Sequence, residues 1–279
     1  MSFGVRAPSI HNTQPWRWGY RPGVLELYAD RSRQLPALDP DGRSMVLSCG
    51  AALELARLGF AAAGWRTEVD RLPDPGRPDL LARIHAVDRV GVGRPTVERA
   101  RAAERRRTER RPFLVVPVAE AAIRSLLAAA TDIGVYAYAV QGADEKLDLA
   151  VVFSGADGVE MSGPVRDFEA GITGGLPLVE LVDERPVYLV VFSTGDDRSA
   201  RLRAGEAYAR ISVEAERLGL GSSALTQAVD LPAVRERFRM LMNWPDHPQM
   251  VLRVGHPQPG PAPRPTGRRP LTAVFTFEE

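Results

Sequence analysis

Leu25, Leu27 and Ala29 fall at every second position with Glu26 and Tyr28 between them, the alternation of a half-buried strand over 24–29. The region 36–42 breaks it with proline and glycine. The period then changes: Val46, Leu47, Gly50, Leu53, Ala56 and Phe60 recur at helical spacing over 44–63, with Glu54 and Arg57 the charged members, and Gly64 stands where a left-handed C-terminal residue belongs. So few polar positions predict a helix buried on most sides. Ahead of this unit a Pro8-Ser9 turn leads through Asn12, Thr13 and Gln14 to Pro15-Trp16, which opens an extended segment through Trp18 and Tyr20. Behind it, 65–69 and 81–87 read as strands separated by a proline-rich loop.

From 95 to 111 the chain is charged and helix-favouring, and it ends in Arg105-Arg106-Arg107-Thr108-Glu109-Arg110-Arg111. A short helix over 120–130 and a strand over 134–140 follow. The stretch 142–175 is the least regular; its glycines suit a mobile flap, with a lid at 153–176. The unbroken apolar run 187–192 predicts a strand buried on both faces, and 196–218 a helix with Leu202, Gly205, Tyr208, Ile211, Ala215 and Leu218 on one stripe. A glycine-punctuated turn over 219–227, a helix over 231–242 and a strand over 247–255 come next. The proline-rich segment 257–265 is an extended arm without helix, and 273–277 is a terminal strand.

The order of elements repeats. The helices around Gly50 and Gly205 align at an offset of 155, which also pairs Gly64 with Gly219; 14–18 lies opposite 134–138, and 82–87 opposite 251–255. Such a chain imitates a symmetric dimer, with halves 1–95 and 96–279, an arm at 257–279 and a ligand site between the halves. Only the first half carries the polar Ser9 to Asn12 loop, and only the second carries Arg106 to Arg111 and Arg268-Arg269. One composite site survives.

Composition narrows what that site holds. With 279 residues, 44% hydrophobic and 25% charged, the chain is globular, and its net charge of +1 provides no field for nucleic acid or anionic membrane. A single cysteine, Cys49, excludes a disulfide framework and a cysteine-rich metal site. The four histidines are scattered, so hydrolytic triads and metal sites rank low. No apolar run approaches a membrane span and no signal segment opens the chain, which predicts a cytoplasmic protein. Arg106, Arg107 and Arg110 with the Thr108 hydroxyl, joined by Arg268-Arg269, are donors suited to a terminal phosphate; a solvated charged helix with Glu104 and Glu109 as partners reads the same residues equally well.

The run from Pro8 to Trp16 resembles the Pro-Ser-x-x-Asn-x-Gln-Pro-Trp signature of the nitroreductase superfamily of flavin enzymes, in particular its Acg branch of FMN-binding proteins. Arg106 to Arg110 is similar to the Arg-Arg-Ser-x-Arg motif that grips the FMN phosphate, with Thr108 in place of serine. The resemblance covers most of the chain. It implies an α+β nitroreductase-like fold, internally duplicated, that works as a monomer and binds small molecules, with FMN as cofactor and NAD(P)H as electron donor. It assigns Arg106, Arg107, Thr108 and Arg110 to phosphate and flavin, Arg268 and Arg269 to phosphate, and Pro8, Ser9, Ile10, Asn12 and Gln14 to the flavin from the opposite half. It sets Ala224, Leu225, Thr226 and Gln227 along the isoalloxazine near its reactive nitrogen.

Three departures qualify the resemblance. Helical sequence between 140 and 151 is shorter than the family's, Thr226 stands where several bacterial nitroreductases carry glutamate, and the segment 154–175 matches one that acts as a lid in Acg-type proteins. An open flavin face implies NAD(P)H-dependent reduction of nitroaromatic or quinone-like acceptors, with flavin N5 carrying the chemistry and no catalytic side chain. His11 reads as a structural hydrogen-bonding residue. A covered face implies FMN storage without turnover, and a third possibility is a flavin-free relic.

Overall fold

The computed structural model describes residues 2–158, 186–230 and 232–277. Two sheets carry the chain. The first has the order β3-β4-β2-β1-β9, built from β1 (Trp16–Arg21), β2 (Val24–Ala29), β3 (Trp65–Arg71), β4 (Leu80–Arg89) and β9 (Phe275–Phe277). The second has the order β5-β6-β8-β7, from β5 (Tyr136–Val140), β6 (Val187–Ser193), β7 (Gly221–Leu225) and β8 (His247–Gly255). Neighbouring strands are antiparallel except β9, which joins β1 in parallel.

The two sheets repeat one topology: β5, β6, β8 and β7 hold the places of β1, β2, β4 and β3. The repeat is tightest in the central helices. α1 (Arg43–Ala62) and the second-half helix Arg198–Arg217 are 20 residues each, every bound is 155 apart, and Gly64 and Gly219 follow them at φ 77° and 75°. Arg43, Ser44, Leu47, Gly50 and Ala52 recur there as Arg198, Ser199, Leu202, Gly205 and Ala207. The helices pack directly on each other through the glycines. A Cβ on Gly50 would lie 2.0 Å from the carbonyl oxygen of Leu202, and a Cβ on Gly205 would lie 2.0 Å from that of Leu47. Only glycine lets the two backbones approach so closely.

Three helices lie between these two in sequence: α2 (Arg94–Arg105), α3 (Glu120–Ala129) and α4 (Ala143–Gly158). The second-half central helix is therefore α5, followed by α6 (Gln227–Asp230) and α7 (Pro232–Leu241). α1 is apolar nearly all round, whereas α5 carries charged residues such as Arg201, Arg203, Arg210 and Glu216 beside a buried apolar stripe; both halves close on the pair, and residues of both helices and both sheets form one core. By length and composition alone α1, with a window of mean hydropathy 1.4, is apolar enough to cross a bilayer, contrary to the expectation of no such run; 61% of that window is buried inside the protein. β6 is buried on both faces, as its unbroken apolar run predicts. Leu189 and Val191 enter the main core, while Tyr188, Val190 and Phe192 enter a second, smaller core with Phe238 of α7.

Three expectations are corrected. The charged helix stops at Arg105 instead of reaching 111, because Arg107 turns back to donate to the carbonyls of Glu104, Arg105 and Arg106, and Thr108 then bridges in parallel to Ser222. The turn over 219–227 contains a strand, β7, held through its backbone to β8. The irregular region after 142 begins with helix α4; of the lid at 153–176, residues 153–158 close that helix and the remainder lies outside the described residues. The segment 257–265 is free of helix as expected; a single 3-10 turn, Leu271–Ala273, then precedes β9, which joins the first-half sheet.

Candidate functional site

A cleft of about 150 Å³ lies where the N-terminal loop, the segment after α2 and the C-terminal arm meet. Pro8, Ser9 and Asn12 line it from the first half, Arg106, Arg107, Thr108 and Arg110 from the segment after α2, and Arg268 from the arm. Residues of both halves, far apart in sequence, thus face one space.

The loop is held open by its backbone. His11, Asn12 and Gln14 adopt φ of 44°, 56° and 50°, the left-handed region that side chains other than glycine rarely enter. The amide of Ile10 donates to Ser48 Oγ (3.2 Å), and that of Gln14 to Ser9 Oγ (2.9 Å). Ser9 Oγ accepts there, which leaves its hydroxyl hydrogen to donate elsewhere. On the same face of α1, Ser44 Oγ donates to Asp230 Oδ1 at 2.7 Å, and Asp230 closes the short helix that follows Thr226. One turn of α1 therefore ties the N-terminal loop to the segment after β7.

The arm is fixed by the same loop. Asn12 Nδ2 donates to the carbonyl of Gly267 (3.1 Å) and Asn12 Oδ1 accepts from Arg268 (3.2 Å), while Gln14 Oε1 accepts from the amide of Arg269 (2.8 Å). Arg268 is thereby turned into the cleft. Arg269 is turned away: it donates to the carbonyls of Gln14, Trp16 and Ala273 and pairs with Asp30 at 3.4 Å. In this geometry Arg269 is a strap and Arg268 a cleft-lining group, its terminal nitrogens donating to Asn12, Thr266, Gly267 and Arg6.

The segment after α2 is seated by residues the sequence did not single out. Arg253, 2% exposed, donates to the carbonyls of Glu109 and Arg111 and lies over the ring of Phe113. Arg111 and Glu109 form a two-pronged pair (2.9 and 2.6 Å), so Glu109 does not neutralise Arg106, Arg107 or Arg110. Arg6 and Arg264 also line the cleft, and Glu104 is the acidic residue among them. Arg6 carried no signal beyond its charge two residues before the Pro8-Ser9 turn.

This set is short of anions. Nε of Arg106 and Nε of Arg268 are buried without a hydrogen-bond acceptor among the described residues. Burial and the neighbouring Arg106, Arg107 and Arg6 push Arg268 down to about 10, and burial followed by Arg107 lowers Arg106. Both stay protonated at neutral pH, and a bound anion would relieve their mutual repulsion. Burial, then the charge of Arg110, lowers His11, so that ring favours its neutral form.

The residues fit a phosphate ester. The volume is below the roughly 300–1,000 Å³ of pockets that enclose a whole ligand, so the cleft suits the phosphate end and leaves the body of the ligand outside it. Ile10, Gln14, Ala224, Leu225, Thr226 and Gln227 are not among its lining residues. Ala224 follows on the strand whose Ser222 pairs with Thr108, roughly 7 Å along β7 at strand spacing. The side chain of Gln227 lies outside the described residues. Among the described residues no group of three or more His, Cys, Asp or Glu is placed to hold a metal ion.

No protein-family model matches the chain. Two proteins of Mycobacterium tuberculosis resemble it over nearly their whole length. One, named "Putative NAD(P)H nitroreductase Rv3131", is 35% identical over 312 aligned positions covering 100% of this chain and 90% of that protein. The other, "Putative NAD(P)H nitroreductase acg", is 33% identical over 309, covering 99% and 93%. Among solved structures, the Bacteroides fragilis nitroreductase with bound FMN superposes with a TM-score of 0.51 at 15% identity, covering 65% of this chain and 99% of that one, a likeness of fold.

Proposed function

This chain belongs to the family of NAD(P)H nitroreductases, and from that premise we propose that it is an FMN-dependent oxidoreductase, using NAD(P)H to reduce nitroaromatic or quinone-like acceptors. The observation that carries the proposal is the cleft shared by two unlike halves, with buried guanidinium nitrogens that lack acceptors among the described residues. A dianionic phosphate supplies the missing acceptors, and planar guanidinium groups match its geometry.

In this reading Arg106, Arg107, Arg110 and Arg268 hold the phosphate, and Thr108 adds a hydroxyl. Ser9 donates from the opposite half, while Asn12 and Gln14 act through the arm by fixing Arg268. Ala224 to Gln227, leaving the end of β7, provide backbone groups toward the ring. When bound, FMN supplies the two-electron redox chemistry, which no side chain of this protein provides. The protein binds, orients and shields; fixed donors beside the ring would stabilise negative charge on it. The functional unit is a single chain, its halves 1–95 and 96–279 standing for two protomers.

The test is an anaerobic titration of the FMN-loaded chain with NADPH or NADH. Flavin absorbance near its long-wavelength maximum should bleach stoichiometrically and return on adding a quinone. Bleaching by dithionite but by neither nicotinamide would refute the oxidoreductase reading and favour storage of the cofactor.

A further inference from the structure

A larger cavity, of about 680 Å³, opens at the other end of α2: Thr96 and Arg99 line it, where Ala103 and Glu104 line the arginine cleft. Its floor is the C-terminal part of the two central helices. Leu55 and Leu58 of α1 meet Arg210 and Val213 of α5 there, and these positions pair at the 155-residue offset, so the cavity straddles the axis of the repeat.

Its wall includes Ala128, Ala129 and Asp132, which lead into β5, the strand that holds the place of β1. The duplication therefore puts this wall where the Pro8 to Asn12 loop stands in the other half. The polar chemistry has not been repeated: alanines occupy the wall, and Trp65, Leu58 and Val213 add apolar surface.

The charges left over have a sign. Glu54 is engaged by Arg57 (2.9 Å) and Arg210 (3.0 Å), and Glu214 by Arg217 (2.7 Å). Asp132 is at the exposed rim, with the Thr131 hydroxyl 3.5 Å away. Two cationic donors remain. Arg99 is exposed, with no ion pair within 4 Å among the described residues though its charge acts on Glu214, and Nε of Arg57, whose Nη1 pairs with Glu54, is buried without an acceptor among the described residues. An apolar wall beside one exposed guanidinium group, and a second whose buried Nε has no acceptor among the described residues, selects a ligand with an apolar body and one anionic end.

We propose that this cavity is a second binding site, for an apolar organic acid such as an aromatic carboxylate or sulfonate. It is separate from the arginine cleft, and it stands whether or not that cleft holds FMN. The probe is 8-anilinonaphthalene-1-sulfonate, titrated into the full chain with FMN in excess and followed by its fluorescence. Saturable binding of one probe per chain is expected. Arg99→Ala should weaken it by about tenfold, the loss of one charge-assisted contact, and Ala129→Trp, which fills the cavity, should abolish it. The double variant Arg106→Ala/Arg268→Ala should leave it unchanged. Absence of saturable binding, indifference to Arg99→Ala, or loss of binding in the double variant overturns the proposal. Thermal melting of each variant checks that it is folded; should Ala129→Trp fail to fold, Arg99→Ala, on an exposed position, decides alone.

Discussion

His11 illustrates how one residue reports on the cleft. It sits in a left-handed conformation inside the ligand-facing loop, and burial together with Arg110 lowers its affinity for a proton. In the unfolded chain the ring titrates near 6.5. Below that value the unfolded state takes up the proton first, so stability falls with acidification and rises with pH. Melting temperatures of wild type and His11→Gln should therefore diverge between about pH 7.5 and 5, with wild type losing more on acidification. Parallel profiles would show that His11 does not titrate as argued. At this scale the sequence was legible wherever a motif was contiguous: Ser9, Asn12, Arg106, Thr108 and Arg110 do share one space. It was silent where the partner is remote. That Asn12 grips Gly267 and Arg268, and that Arg269 turns outward to Asp30, depends on pairings across more than 230 positions.

Among the elements, the crossing of α1 and α5 has the least tolerance. Both Gly50 and Gly205 face a carbonyl oxygen of the partner helix at a distance no Cβ can accept, and backbone cannot yield as a side chain would. Gly50→Ala and Gly205→Ala should each cost about 3 kcal/mol or more, toward the upper end for overpacking. The symmetry of the contact predicts similar losses, measurable by urea unfolding; a loss confined to one variant would contradict an equivalent crossing. The helical period and the glycine offset exposed this pair in the sequence. β7 escaped notice because Gly221, Ser222 and Ser223 carry no strand-like side-chain pattern, and backbone pairing with β8 holds them. The early end of α2 escaped for a similar reason: Arg107 caps its carbonyls, and composition does not distinguish a capping arginine from a solvated one.

At the scale of the whole molecule, a core shared by both sheets predicts a single cooperative unfolding unit. Glu206 of α5 is fully buried, and Arg71, at the end of β3 in the first half, meets both its oxygens at 2.7 Å, with Arg57 at 3.7 Å. Removing one partner from such a pair leaves buried charge uncompensated, so Glu206→Gln should destabilise by about 3–5 kcal/mol. Calorimetry should show that loss in one transition; a separate melting of one half would contradict the shared core. The duplicated order of elements could be read ahead of the coordinates, whereas the ion pair that joins the halves could not, because neither residue belongs to a motif.

In the proposed site two unlike halves assemble one grip for a phosphate. The decisive experiment is calorimetric titration of the flavin-free chain with FMN, alongside Asn12→Ala, Arg106→Ala and the combined Asn12→Ala/Arg106→Ala variant. One FMN per chain is expected, with weaker binding in each single variant and a loss in the combined variant that differs from the sum of the two, since both act on the same bound phosphate. Two equivalents per chain, or an affinity indifferent to either substitution, would contradict it.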